Sequence, residues 1–160
     1  MTTATKPTVR QGKLAIDEAF SRYMDGQFID PLALDIIGYS VANELQLRDY
    51  LLAYYMETGD INTAVGFVNH LIEQGVHEHN RHAFYTILSA LHFTNSDRDL
   101  ATLALDEALK LDSNYALAKL LSRVYGAGWA SESFRAMAQE LHPKVLAEIE
   151  TIADKVIEIK

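Results

Sequence analysis

The sequence predicts an all-α fold in which antiparallel helical hairpins stack as a short array of about seven or eight helices. Apolar residues recur every three to four positions through most of the chain, as they do on the buried face of a helix. No stretch alternates apolar and polar residues with the period of two that marks a half-buried strand. Capping residues and turn glycines separate the periodic segments at short intervals, as expected of helical hairpins.

The first two helices are predicted from their start and stop signals. Residues 1–13 are polar, aperiodic and contain a proline, so we expect a flexible tail there. From Leu14 the apolar residues follow helical spacing until Gly26, a residue suited to ending a helix. Asp30-Pro31 opens the second helix, because the carboxylate can accept free backbone N–H groups and a proline at the first position loses no hydrogen bond.

The remaining helices are predicted from apolar stripes bounded by capping residues or glycines. The second helix is expected to break around 43–46, and those after it to cover about 47–58, 60–75, 80–93, 97–111, 115–125, 132–141 and 143–159. His142-Pro143 is expected to separate the last two, since an internal proline removes a backbone donor and clashes with the preceding turn. Residues 14–160 are expected to form one helical domain.

A weak internal repeat supports the hairpin interpretation. Residues 59–64 align with residues 96–101, which places Ala64 and Ala101 in equivalent positions with a period in the thirties. A small residue at such a position lets two helices cross closely. Periods of this length are typical of helical-hairpin arrays, in which each unit is stabilised by stacking on its neighbours.

Two resemblances follow from particular motifs. Residues 108–118 (ALKLDSNYALA) resemble the A-L-x-L-D-P-N-x-x-x-A junction of tetratricopeptide repeats, with Ser113 in place of the proline. Residues 47–138 resemble the C-terminal half of an actinobacterial and actinophage domain-of-unknown-function family, the four-one-nine-two type. The segments that carry this resemblance are LRDYLL (47–52), NSDRDLA (95–101) and ALDEAL (104–109).

The departures from that family's pattern limit what the resemblance implies. Leu91 stands at the position of the family's tryptophan, Ser96 and Arg98 stand at its turn glycines, and a longer N-terminal region has no counterpart here. The resemblance implies a tetratricopeptide-like array and a bacteriophage lineage. It implies no activity, because the family has none that could be transferred.

Composition narrows the classes of partner. Acidic residues outnumber basic ones by 22 to 14, giving a formal net charge of −8. Such a surface repels nucleic acid unless basic residues are concentrated, and here they are scattered, so we expect no nucleic-acid binding. An acidic inhibitor that mimics DNA is the alternative that this charge leaves open. The apolar runs are far shorter than the roughly 20 residues of a membrane span, so we also expect no membrane association.

The absence of cysteine and of a secretory signal pattern leads us to expect a cytoplasmic protein, in the host cytoplasm if the chain is phage-encoded. The strongest candidate for a metal site is the segment VHEHNRH (76–82), with His77, His79 and His82. The alternative it supports is a metal-binding protein or a small metal-dependent enzyme. We interpret the segment instead as a loop and helix start, and expect no cofactor.

No nucleophile–base pair, phosphate-binding loop or other catalytic motif is recognisable, so we expect no enzymatic activity. The hypothesis from sequence is a protein-interaction module, phage-encoded and binding a host protein. Aromatic residues often anchor protein interfaces. Apolar residues of the last helix repeat with heptad spacing, which predicts either a cap on the array or a homodimer. The interface candidates are Tyr54, Tyr55, Trp129, Ile149, Ile152 and Val156.

Overall fold

The computed structural model describes residues 6–160, and within them it contains α-helices, one short 3₁₀ turn and no β-strand. The all-α prediction is confirmed. The helices are α1 (Val9–Met24), α2 (Pro31–Asn43), α3 (Leu45–Leu52), α4 (Tyr55–Thr58), α5 (Ile61–Gln74), α6 (Arg81–Thr94), α7 (Arg98–Leu111), α8 (Ala116–Gly126) and α9 (Ser131–Thr151), and the 3₁₀ turn is Glu78–Asn80.

Helix α1 begins earlier than predicted. Thr8 caps it: the Gln11 backbone N–H donates to Thr8 Oγ1 at 3.2 Å, and the Thr8 N–H donates to Gln11 Oε1 at 2.8 Å. This reciprocal capping box starts the helix at Val9, which is fully buried, instead of at Leu14. The predicted tail therefore includes residues that are helical, because burial of Val9 and the cap stabilise this turn. Residues 1–5 of that prediction lie outside the described residues.

The predicted acidic cap at Asp30 is confirmed, and two further aspartates cap helices in the same way. Asp30, Asp60 and Asp97 each accept a hydrogen bond from a backbone N–H in the first turn of α2, α5 and α7. Gly59 and Gly75 end α4 and α5 with φ of 76° and 114°, a left-handed conformation that glycine adopts without steric cost. Local chemistry thus sets these five helix boundaries.

Helix α6 lies at the centre and contacts α2, α3, α5, α7, α8 and α9. Because it is buried on nearly all sides, its hydroxyl groups find partners inside the protein: Thr86 and Thr94 donate to backbone carbonyls one turn earlier, at 2.7 and 2.8 Å. Ser89 donates to the Ala101 carbonyl of α7 at 2.6 Å. Only residues 95–97 separate α6 from α7, and the two helices pack closely against each other.

Two hydrophobic cores lie on either side of this centre. The larger contains buried residues of α1, α2, α3, α5, α6 and the second half of α9. The smaller is formed by α6, α7, α8 and the start of α9, with Phe93, Leu105, Leu121 and Phe134 among its members. Helix α9 also packs against α1 and α3. In a linear array each unit contacts its neighbours only, so the tetratricopeptide-like stacking remains a prediction.

The C-terminal region differs from the prediction in two ways. One helix, α9, spans the predicted break, with Pro143 inside it. Phe134 before the proline and Val145 and Ile149 after it are buried on one face, and their burial offsets the lost hydrogen bond. The helix then ends at Thr151, not near residue 159.

Residues 152–160 turn back and run beside the start of α1. Ile157 is fully buried, its N–H donates to the Pro7 carbonyl at 2.9 Å, and its carbonyl accepts from the Tyr39 hydroxyl at 2.8 Å. The Val9 N–H donates to the Lys155 carbonyl at 2.9 Å. The predicted heptad stripe is therefore not a continuous helical face, because these backbone bonds hold its last third in an extended conformation.

Candidate functional site

An open groove of about 620 Å³ lies between α8 and α9, with residues of α3 at its base. Helix α8 packs on α6 and α7, whereas α9 packs on α1, α3 and α6. Although both helices contact α6, they make few contacts with each other, and the space between them is not filled by side chains.

The groove is lined mainly by apolar side chains, several of which are exposed to solvent. On α9 they follow helical spacing from Phe134 to Val145, and on α8 from Leu117 to Val124. The large apolar side chains that remain 38–47% exposed in the groove are Leu120, Trp129, Met137 and Leu141. Exposed apolar surface gathered in one concave region is characteristic of a binding site.

The loop between α8 and α9 fixes Trp129 at one end of this groove. Gly128 has a φ of 74°, which turns the chain sharply before the tryptophan. The Trp129 N–H donates to the Val124 carbonyl at 3.3 Å, and its carbonyl accepts from the Arg98 guanidinium at 2.6 Å. These two bonds hold the backbone of Trp129 at this point of the loop.

Charged residues lie at the other end of the groove. Arg48 and Asp49 of α3 form an ion pair with each other at 3.0 Å. Lys144 and Glu148 of α9 line the groove one helical turn apart, and neither forms an ion pair with any residue from 6 to 160. The groove is therefore apolar near Trp129 and charged near Glu148.

A polar network lies behind the groove wall. His142 of α9 is buried; its Nε2 lies 3.3 Å from Glu57 Oε2, and its ring stacks on Tyr50 with centroids 6.2 Å apart. The hydroxyls of Tyr50 and Tyr54 donate to Asp17 Oδ1 at 2.6 and 2.9 Å. Burial, with the neighbouring Asp17, raises the pKa of both tyrosines well above the usual value, which keeps them as neutral hydrogen-bond donors.

This network places two of the predicted interface residues in the core. Tyr54 and Tyr55 are 3% and 6% exposed, so neither offers a surface to a partner. Tyr54 packs edge-on against Phe20, with ring centroids 5.3 Å apart. Their position is explained by the short helix α4, which follows α3 after a sharp turn and directs both rings inward.

The other predicted interface residues are divided between core and surface. Ile149 is buried in the larger core, and Ile152 packs against that core while partly exposed. Val156 is exposed but lies beyond the end of α9, in the extended segment. Trp129 alone among the predicted interface residues lines the groove. Three exposed apolar residues of the groove were not among the predicted interface residues: Leu120, Met137 and Leu141.

The three candidate metal ligands have local structural contacts. His77 Nδ1 accepts from the His79 N–H at 3.3 Å, and the two rings lie against each other with centroids 4.1 Å apart and their planes tilted by 52°. His82 packs edge-on against Tyr115, and burial lowers its pKa below the usual value. Together with Glu78, Leu111 and Asp112, the residues His79 and His82 border a second cleft of about 370 Å³. Across residues 6–160 no three His, Cys, Asp or Glu side chains are arranged to hold a metal ion.

None of the helices in residues 6–160 has the length and apolar character needed to cross a membrane. Comparison of the chain with protein-family models, with curated proteins and with solved structures gave no match.

Proposed function

We propose that this protein is an interaction module that binds an α-helix of a partner protein in the groove between α8 and α9. The observation that supports this most directly is the line of exposed Leu120, Trp129, Met137 and Leu141 in one concave surface. Tryptophan and methionine are enriched at protein interfaces, and an amphipathic helix inserted in an apolar groove is a recurrent mode of peptide recognition.

The dimensions of the groove fit a helix. Its α9 wall runs from Phe134 to Glu148, about 21 Å at a rise of 1.5 Å per residue, or about four helical turns. Side chains at i, i+3 or i+4 and i+7 of a bound helix would reach along that length. The resemblance to a phage family adds the proposal that the partner is a host protein.

Binding of displayed helical peptides tests this proposal. A library of peptides of about 14 residues, with apolar residues varied along one helical face, is selected against the purified protein. We expect binders, and we expect Leu141→Asp to weaken them at least about tenfold, as buried apolar anchors usually do when replaced.

Leu103→Asp is the matched control, because Leu103 is exposed on α7 outside the groove. Circular dichroism and thermal melting establish that both variants fold. A selection without binders, or binders that Leu141→Asp leaves unaffected, would contradict the proposal.

A further inference from the structure

Two charged residues at this end of the groove, Lys144 and Glu148, have no ion-pair partner among residues 6–160, for a definable reason. Lys144 and Glu148 are at i and i+4, close enough to interact, but a lysine preceding a glutamate is the weaker orientation of such a pair on a helix. The other polar contacts at the groove are internal: Arg48 forms an ion pair with Asp49, and His142 Nε2 lies 3.3 Å from Glu57 Oε2. Lys144 and Glu148 are thus the groove charges left to interact with an occupant, among the residues described.

These two charges give the groove a direction. Met137 and Leu141 precede Lys144 on the same exposed stripe of α9, and Trp129 lies beyond them. From Phe134 to Lys144 the helix rises about 15 Å, so the apolar part extends over nearly three turns before the charges begin. An apolar helix without charges would leave both ionic groups without partners.

We propose that the occupant is an amphipathic helix with apolar anchors along the Trp129–Leu141 part of the groove, an acidic side chain opposite Lys144 and a basic side chain opposite Glu148. This rests on the function proposed above and specifies its partner. Complementary charges at one end fix the direction in which the helix lies, and mismatched charges discriminate against other helices.

The test uses the displayed library with apolar anchors fixed and flanking positions randomised among Glu, Lys and Gln. Against the unmodified protein, we expect one position to favour Glu and another to favour Lys, each about two- to fivefold, as for exposed ion pairs. Lys144→Glu should invert the first preference alone, and Glu148→Lys the second alone. Single substitutions are needed, because exchanging both residues would create the favourable order of an internal pair.

Lys119→Glu is the matched control: it makes the same charge change on the exposed surface of α8, outside the groove lining, and should change neither preference. If the selected peptides showed no preference for Glu or Lys, or the same preference against all variants, the charge assignment would be overturned. The proposal that the groove binds a helix would still stand. Binders that tolerate Leu141→Asp, or no binders, would instead overturn the proposed function.

Two other occupants are separate outcomes. Sedimentation that gave a concentration-dependent dimer, lost in Leu141→Asp, would assign the groove to a second copy of the chain and overturn the proposal. If the protein bound laurate but no peptide, and the Leu141→Asp variant no longer bound laurate, the groove would be assigned to a small apolar acid. That result would also overturn the proposal. A monomer that binds charged amphipathic peptides and not laurate supports it.

Discussion

The Tyr50 hydroxyl donates a 2.6 Å hydrogen bond to Asp17 Oδ1 and so joins α3 to α1. Tyr54 donates to the same oxygen, and Lys13 pairs with the other carboxylate oxygen at 2.9 Å. Asp17 is only partly buried, and these three contacts engage both of its carboxylate oxygens. One carboxylate thus holds two aromatic residues in the larger core, beside the groove wall.

Because the two phenols share one acceptor, we expect their contributions to stability to be coupled. Tyr50→Phe and Tyr54→Phe should each lower the free energy of unfolding by about 1 kcal/mol, and the double variant by less than the sum. Urea denaturation measures all three. The Tyr39 hydroxyl donates to the Ile157 carbonyl and shares no acceptor with Tyr50. The losses in unfolding free energy caused by Tyr39→Phe and Tyr50→Phe should therefore add. Full additivity of Tyr50→Phe with Tyr54→Phe would contradict the shared bond.

Close packing of α1 on α2 and α3 makes Gly12 sensitive to substitution. An added Cβ would lie 2.6 Å from Leu47 Cδ1 and 2.7 Å from Ser40 Oγ. We expect Gly12→Ala to destabilise the protein by about 1–3 kcal/mol, more than the gain in helix propensity returns. Gly126→Ala is the control, because nothing lies within 4 Å of its Cβ and its φ is ordinary, and it should be neutral or stabilising. Thermal unfolding of both variants gives the comparison, and equal destabilisation would contradict the packing argument.

Two half-buried histidines, His82 and His92, predict a loss of stability in mild acid. Burial lowers the pKa of both His82 and His92, so the unfolded chain, with ordinary values near 6.5, takes up protons first as the pH falls. The contribution of the two neutral imidazoles to the free energy of unfolding is complete above about pH 6.5. It is lost as the pH falls through their lower folded-state pKa values. His82→Phe, which keeps a ring against Tyr115, should make the decline in urea midpoint between about pH 7.5 and about pH 5 shallower, and adding His92→Phe shallower still. An unchanged slope in the double variant would contradict this prediction.

The sequence predicted most of the helices because their ends depend on neighbouring residues. The Asp60 carboxylate caps the start of α5, and the left-handed backbone of Gly75 ends it. Both residue types can be recognised from the sequence alone. Pro143 misled the prediction for the converse reason. Its local cost is offset by burial of Val145 and Ile149 against residues far away in sequence, which a local rule does not include.

The groove was harder to predict than the helices. Periodicity indicates that Leu120 lies on the apolar face of α8, but not that α9 leaves part of that face uncovered. Tyr54 illustrates the opposite error: an aromatic residue suited to an interface is used internally, because α4 directs it at Asp17. The signal that could have indicated the groove was the stripe formed by Met137, Leu141 and Lys144, a series of apolar residues that ends in charges.

The backbone bonds between the two ends of the described chain have a mechanical consequence. Residues 7–10 and 153–157 are clasped side by side, through Pro7 with Ile157 and through Val9 with Lys155. Because these hydrogen bonds join the two segments, detaching either segment breaks the bonds of both. A tether attached near Lys6 or Glu158 would therefore leave the molecule from almost the same point, and pulling on both would open this clasp before any helix was extended.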